Sequence, residues 1–256
     1  MNKKLLFFIL CYIFIAENSF AEAKPFPFTV GEKFTFDITW MGFFAGTATL
    51  EVNQKVKYKD KDVYHIVSTA KSSRFVSTFY PVDDKSETFI DAKEVFSYLH
   101  KVRVREGGYK NDKETEFDQI NHKAYYRRDS SKEEVFDIPP KVQDALSCFY
   151  YFRTLDNIEI GKPIFIDTFE SEKTWQLEVL ILGKEKIKTP VGEFNTIKLK
   201  PLLKFKGVFI HKGDVYIWVT DDYRRLPVQI KSKVIIGYFT ATLISMEGAT
   251  LIQGGL

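Results

Sequence analysis

Cysteine is nearly absent from this chain. Of 256 residues only Cys11 and Cys148 are cysteine. Cys11 lies in an apolar leader that is expected to be removed, so Cys148 stands alone and an internal disulfide is excluded. Within its aromatic surroundings Cys148 reads as a small apolar residue rather than a reactive thiol. Tracts of one charge are missing as well. The 37 Lys and Arg are interspersed with 34 Asp and Glu, which excludes a nucleic-acid-binding tail. No apolar run reaches the roughly 20 residues that a helix needs to cross a bilayer. Histidine is scarce. His65, His100, His122 and His211 fall on separate strands and turns, and no HExxH or other metal spacing links them. No GxSxG elbow, CxxC pair or Gly-rich phosphate loop is present. The sequence therefore names no catalytic residue, no metal ligand and no cofactor, and it points away from an enzyme.

An export leader and an excess of aromatics are present. Lys3 and Lys4 precede the short apolar run Leu5 to Ile15, and Ser19-Phe20-Ala21 offers small residues at the expected cleavage site. Residues 1–21 are thus read as a signal peptide and 22–256 as a single β-rich domain delivered to the periplasm, with outer-membrane association left open. Leu10 is not the small residue that precedes a lipidated cysteine, which argues against lipidation at Cys11. The chain carries 24 Phe and 13 Tyr, enough to fill a β core or to line an apolar surface.

Alternation dominates the mature chain. Phe34, Phe36, Ile38 and Trp40 take one face of a first strand, and Lys33, Thr35, Asp37 and Thr39 take the other. A hairpin with a longer loop, bracketed by Gly42 and Gly46, returns through Thr47 to Val52. Gly107-Gly108 and Thr189-Pro190-Val191-Gly192 read as turns, and Gly183 as a bulge. Ser72 to Pro81 lacks a pattern. One segment has a helical period: Lys141 to Arg153, with Val142, Ala145, Leu146 and Phe149 on one stripe and Pro139-Pro140 before it. The expected fold is mainly β, a large twisted antiparallel sheet forming an open or half-closed barrel with one packed α-helix at about 141–153. Charges interrupt most strands, which argues against a lipid-spanning barrel.

One helix cannot cover so wide a sheet, so part of the concave face is expected to stay open. The loop aromatics Trp40, Phe43, Phe44, Phe75, Phe79 and Tyr80, with Ala145 and Phe149 of the helix, are the candidate ligand-binding residues. The alternative is that these loops merely finish the core. Asp221 to Pro227 is the densest polar cluster. Turn chemistry explains it, with aspartates bonding local backbone and arginines pairing with them.

The segments GEKFTFDITWMGFFAGTATLEV, QDALSCFYYFR, TPVGEFNTIKLKP and IWVTDDYRRLPVQI occur in this order. Together, from about Phe28 to Leu243, they resemble an exported Gram-negative envelope family, domain of unknown function 3108. The matching positions include Gly31, Glu32, Trp40, Gly42, Gly46, Asp144, Ser147, Tyr150, Arg153, Pro190, Gly192, Trp218, Asp222, Arg225 and Pro227. The resemblance implies a β-rich envelope protein and supplies no catalytic residue. Two roles follow as expectations. One is a non-enzymatic binder or carrier of an apolar envelope ligand, such as lipid or a lipoprotein acyl chain. The other is an accessory protein of envelope polysaccharide or outer-membrane assembly, acting through protein contacts.

Overall fold

The computed structural model describes residues 26–205, 208–209 and 214–249. The leader with its expected cleavage site, His211 and the end of the chain from residue 250 lie outside the described residues. In chain order the strands are β1 (Lys33–Trp40), β2 (Phe43–Tyr58), β3 (Lys61–Ser72), β4 (Asp83–Asp91), β5 (Ser97–Glu106), β6 (Tyr109–Asp118), β7 (Lys123–Arg128), β8 (Glu134–Asp137), β9 (Ile164–Glu170), β10 (Lys173–Thr189), β11 (Gly192–Phe205), β12 (Val208–Phe209), β13 (Val215–Thr220), β14 (Pro227–Lys233) and β15 (Tyr238–Glu247). Helix α1 (Arg74–Ser77) follows β3, and α2 (Ser147–Thr154) joins β8 to β9.

The ladders are all antiparallel, and the strands lie in the order β8-β7-β6-β5-β4-β3-β2-β1-β15-β14-β13-β11-β10-β9, with β12 beside β11. Two meanders are thus joined where the first strand pairs with the last, and α2 lies on the connection between the two free edges. Laid flat at about 4.8 Å per strand, this path would separate β8 from β9 by about 60 Å. The chain forbids that. Gln143 follows the end of β8 by six residues, a reach of about 20 Å, and it already pairs with β9. The Gln143 N–H donates to Asp167 O (2.9 Å), and Phe169 N–H donates to Gln143 O (2.8 Å). The sheet therefore curls until its edges nearly meet, and an apolar seam of Phe117, Tyr126, Ile138, Val142 and Phe169 packs between them. The sheet is not closed: one isolated bridge, not a ladder, spans the seam.

Helix α2 sits inside the curl. Tyr150 packs against Phe28, Val52, Ile66 and Ile90 of one wall, and Phe152 packs against Ile166, Leu177, Val179 and Leu199 of the other. The outward face is charged. Glu87, Lys101, Glu114 and Arg127 lie opposite one another across β4, β5, β6 and β7, with Lys101 Nζ 3.0 Å from Glu114 Oε2. Such a row suits water and would be costly against hydrocarbon, so this is not a lipid-spanning barrel.

Four expectations need correction. The helix begins at Ser147, not Lys141. The backbone of residues 142–144 is used to bridge β9, and tertiary pairing overrides the helical period there. The helix start is instead built by Asp144, whose Oδ1 accepts from Leu146 N (2.7 Å) and Ser147 N (2.8 Å), while Ser147 Oγ accepts from Asp144 N (2.8 Å). The stripe also shifts: Ser147, Tyr150, Phe152 and Arg153 are the buried helical residues, whereas Val142 belongs to the seam and Ala145 is exposed. Segment 72–81 contains a short second helix, α1, capped by Ser73 Oγ on Val76 N (3.2 Å). The first hairpin is tight, not long. Met41 (φ 49°) and Gly42 (φ 86°) alone connect β1 to β2, the two positive-φ positions that a twisted two-residue hairpin demands.

Candidate functional site: an apolar cavity under the helix

Antiparallel pairing gives the curled sheet two rims. The β1–β2, β3–β4, β5–β6, β9–β10 and β14–β15 turns lie at one, here the upper rim. The β2–β3, β4–β5, β10–β11 and β13–β14 turns lie at the lower one.

The lower end is sealed by a buried ion pair. Arg153 on α2 is fully buried and clasps Glu32 in a two-pronged contact, Nη1–Oε1 2.5 Å and Nη2–Oε2 2.9 Å. Its remaining bonds go to Arg224 O (Nε, 2.7 Å) and Pro27 O (Nη2, 2.7 Å), and the rings of Phe28, Phe34, Phe149 and Tyr150 surround it. Arg225 Nη1 donates to Arg153 O at 2.6 Å and its Nη2 to Asp156 O at 3.2 Å. In the 221–226 turn Asp222 accepts from the local Arg224 and Arg225 N–H groups as expected, but the arginines do more than pair locally. Arg224 does hold Asp222 (2.7 Å), while Arg225 reaches across to the helix end and Asp221 pairs with Lys184 (2.6 Å). Burial works against ionisation of Asp222, yet the Arg224 side chain, the Arg224 N–H and Thr220 outweigh it and hold this carboxyl below its usual value of 3.8. Asp222→Ala should therefore cost about 1 kcal/mol at neutral pH. A group with a depressed folded-state pKa stabilises above its unfolded value and ceases to do so as pH falls through the folded one. The deficit of Asp222→Ala relative to the wild type should thus shrink below about pH 4 in urea titrations. An unchanged deficit at pH 3 would contradict this reading.

Above that seal lies a cavity of about 540 Å³. Leu146, Cys148, Phe149 and Phe152 cover it from the helix side. Phe36, Ala48, Leu50 and Ala241 form one wall, and Ile166, Leu177, Val179, Leu199 and Ile217 form the other. The small residues Ala48, Ala145 and Ala241 leave the space that larger side chains would fill. Polar groups gather at the upper end, where Glu170, Ser171 and Asp214 line it. There Lys113 Nζ from β6 meets Glu170 Oε1 (3.3 Å) and Ser171 Oγ (2.8 Å) across the seam. The cavity thus has a charged upper end and an apolar body.

Of the sequence-predicted residues, Ala145 and Phe149 line this cavity, while Trp40, Phe43, Phe44, Phe75, Phe79 and Tyr80 do not. Those six are exposed at the tips of the upper rim. Sequence reasoning missed the β10, β11 and β13 wall, whose alternation marked it only as core, and the Ala48–Ala241 gap.

Cys148 keeps part of its surface open beside the cavity. Burial, and then the charge of Asp144, push its thiol up to about 12. It is protonated at neutral pH, and labelling by a disulfide reagent should be at least about tenfold slower than in urea, rising with pH. Rapid labelling of the folded protein at pH 7 would contradict this. His100 is buried beside Ser86 (Nε2–Oγ 2.9 Å) and Asp144 (Nε2–Oδ1 3.8 Å). Both partners address the same ring nitrogen, whereas a proton relay needs the carboxylate on the other. Asp144 is in addition bound by Thr88 Oγ1 at 2.5 Å and by the helix start. Among the described residues no group of three or more His, Cys, Asp or Glu is placed to hold a metal ion.

A curled, unclosed antiparallel sheet that wraps α2 and keeps an apolar cavity beneath it defines a β-barrel-like fold. The sequence matches the family described as Protein of unknown function (DUF3108) over residues 35–244, and the chain belongs to that family. No curated protein matches the sequence. Among solved structures, a β-barrel-like protein of domain of unknown function DUF1849 from Brucella abortus aligns over 85% of this chain and 97% of its own, with TM-score 0.55 and 9% identity. That likeness establishes a shared fold. A protein with a YmcC-like fold from Bacteroides fragilis, provisionally described as exported, aligns at TM-score 0.33 and 16% identity over 86% of this chain and 97% of its own. A protein from Parabacteroides distasonis, provisionally described as a lipoprotein, aligns at TM-score 0.37 and 10% identity over the same 86% and 97%.

Proposed function

We propose that this protein is an exported, non-enzymatic carrier that holds an apolar envelope ligand, a lipid or lipoprotein acyl chain, between α2 and the curled sheet. One observation carries the reading: a cavity of about 540 Å³ whose body is apolar and whose charges are confined to one end. That volume is within the range of small-molecule sites, roughly 300–1,000 Å³. The polarity gradient fits an amphiphile, with its chain inside and its head near Lys113, Glu170 and Asp214. Each buried methylene contributes about 0.8 kcal/mol, so about ten give a gross gain near 8 kcal/mol before the cost of association. The leader read in residues 1–21 supports a periplasmic site for this activity.

The test is direct. Protein purified from the periplasm is extracted and its lipids are identified by mass spectrometry, and a fluorescent fatty-acid probe is titrated into stripped protein. Saturable probe binding, competed by the extracted lipid, is expected. No co-purified lipid and no probe binding would overturn the carrier reading and favour a role through protein contacts.

A further inference from the structure

The six exposed aromatics that the cavity does not use are not scattered. Trp40 lies opposite Phe239 across the β1–β15 ladder, and its Nε1–H donates to Ile236 O at 2.9 Å. Met41 N–H donates to Tyr238 O at 3.4 Å, so the β1–β2 and β14–β15 tips stand side by side. On the other flank Ser73 N–H donates to Ala45 O at 2.7 Å, which sets α1 beside the same β1–β2 tip. Three neighbouring tips therefore form one arc of the upper rim. Their leading side chains are turned to solvent: Phe43 is 76% exposed, Phe75 and Phe79 75% each, and Ile235 104%. Such exposure of large apolar groups, repeated on three adjacent tips, marks an interaction surface.

Charge selects the partner. Across 38–45, 72–81 and 231–239 there is no acidic residue, and the charged residues are Arg74, Lys231 and Lys233. Aromatic and aliphatic tips whose own charges are all cations, with Asp83 and Asp214 set behind them, complement an anionic lipid interface, where Trp and Tyr lie at the headgroup level and Lys and Arg meet the lipid charge. Two other turns of the upper rim differ. The β7–β8 and β9–β10 turns carry Asp129, Glu133 and Glu172 among their polar residues. The apolar tips are thus gathered on one side of the rim. Met41 takes a positive φ that asparagine or glycine would adopt more easily, so an apolar residue stands at the outermost point of the turn.

We propose that the β1–β2, α1 and β14–β15 tips dock this protein onto an anionic membrane surface, inserting Phe43, Phe75, Phe79 and Ile235 into the headgroup region. The upper rim is also the end of the cavity that carries Glu170, Ser171 and Asp214, so docking brings that end towards the bilayer. The inference rests on the tips alone and does not require that the cavity hold a lipid.

The test is co-sedimentation of the exported chain with sucrose-loaded vesicles, phosphatidylcholine alone or mixed with phosphatidylglycerol. Binding to the mixed vesicles is expected, at least tenfold stronger than to phosphatidylcholine and reduced by 0.5 M salt. Phe43→Ser/Phe75→Ser/Ile235→Ser should lower it at least tenfold with an unchanged melting temperature, since all three side chains are already in water. Arg74→Glu/Lys231→Glu/Lys233→Glu should abolish the preference for anionic vesicles. Wild-type protein left in the supernatant, or a triple serine variant that binds as the wild type does, would overturn the proposal. So would a concentration-dependent dimer that the serine variant dissolves while vesicles bind neither form. Cavity occupancy is read separately with the fatty-acid probe. Lost vesicle binding with retained probe binding defeats this proposal alone, and the converse defeats the carrier reading alone.

Discussion

Arg153→Met should destabilise this protein by about 3–5 kcal/mol, the usual cost of removing one partner of a buried ion pair. The guanidinium joins three distant parts of the chain: the lead segment through Pro27 and Glu32, the end of α2, and the β13–β14 turn through Arg224. Methionine would fill much of the volume but would leave the Glu32 carboxylate and two backbone carbonyls without their donor. The measurement is urea denaturation followed by tryptophan fluorescence. If the loss comes from the stranded carboxylate, Glu32→Gln in the Arg153→Met background should restore about 1 kcal/mol or more, a coupling that a double-mutant cycle isolates. A loss below 1 kcal/mol for the single variant would show that the pair does not hold the lower end together.

Ala145→Trp should weaken binding of a fatty-acid probe by at least tenfold, a change of about 1.4 kcal/mol. Ala145 lines the cavity yet is exposed, so an indole added there can reach into the space without forcing a packed core apart. Its cost to stability should stay near the ±0.5 kcal/mol of surface substitutions. Ala241→Phe approaches the same space from the opposite wall and should produce the same loss of binding. Some overpacking cost, about 1 kcal/mol, is expected there because Ala241 also touches the Phe34–Leu243 cluster. Undiminished probe affinity in two well-folded variants would remove the cavity as the binding site.

Much of the β architecture was legible because its signals are local. Phe34 and Phe36 alternate with polar residues and are buried as that alternation requires. The bulge expected at Gly183 appears as a register shift between Ile181 and Gly183, and the turn at residues 190–191 pairs Thr189 with Gly192. The same alternation misled at the strand end: Trp40 continues the face of Phe34 and Phe36, yet it projects past the core at the rim and is exposed. The helix shows the converse failure. Val142 has the right spacing for α2, but Gln143 beside it is committed to the edge of β9, a pairing with Thr168, 25 residues away, that no local period records. Asp144 and Arg153 are among the positions that the family resemblance singles out. One builds the start of the helix and the other ties its end to Glu32.

The sequence by itself determined the strand-rich class, the isolated thiol, the lack of a metal or nucleophile motif and the likeness to the family, because each is a property of residue type and spacing. The tertiary structure alone decided that the edges of the sheet meet at Gln143, that α2 is enclosed between two walls, and that a cavity survives beneath it. It also separated the aromatics into those that face the cavity and those that crown the rim. These are outcomes of curl and closure. They depend on which of two equally apolar faces turns inward and on how far small residues such as Ala48 and Ala241 stand from α2, and those quantities exist only once distant strands have paired.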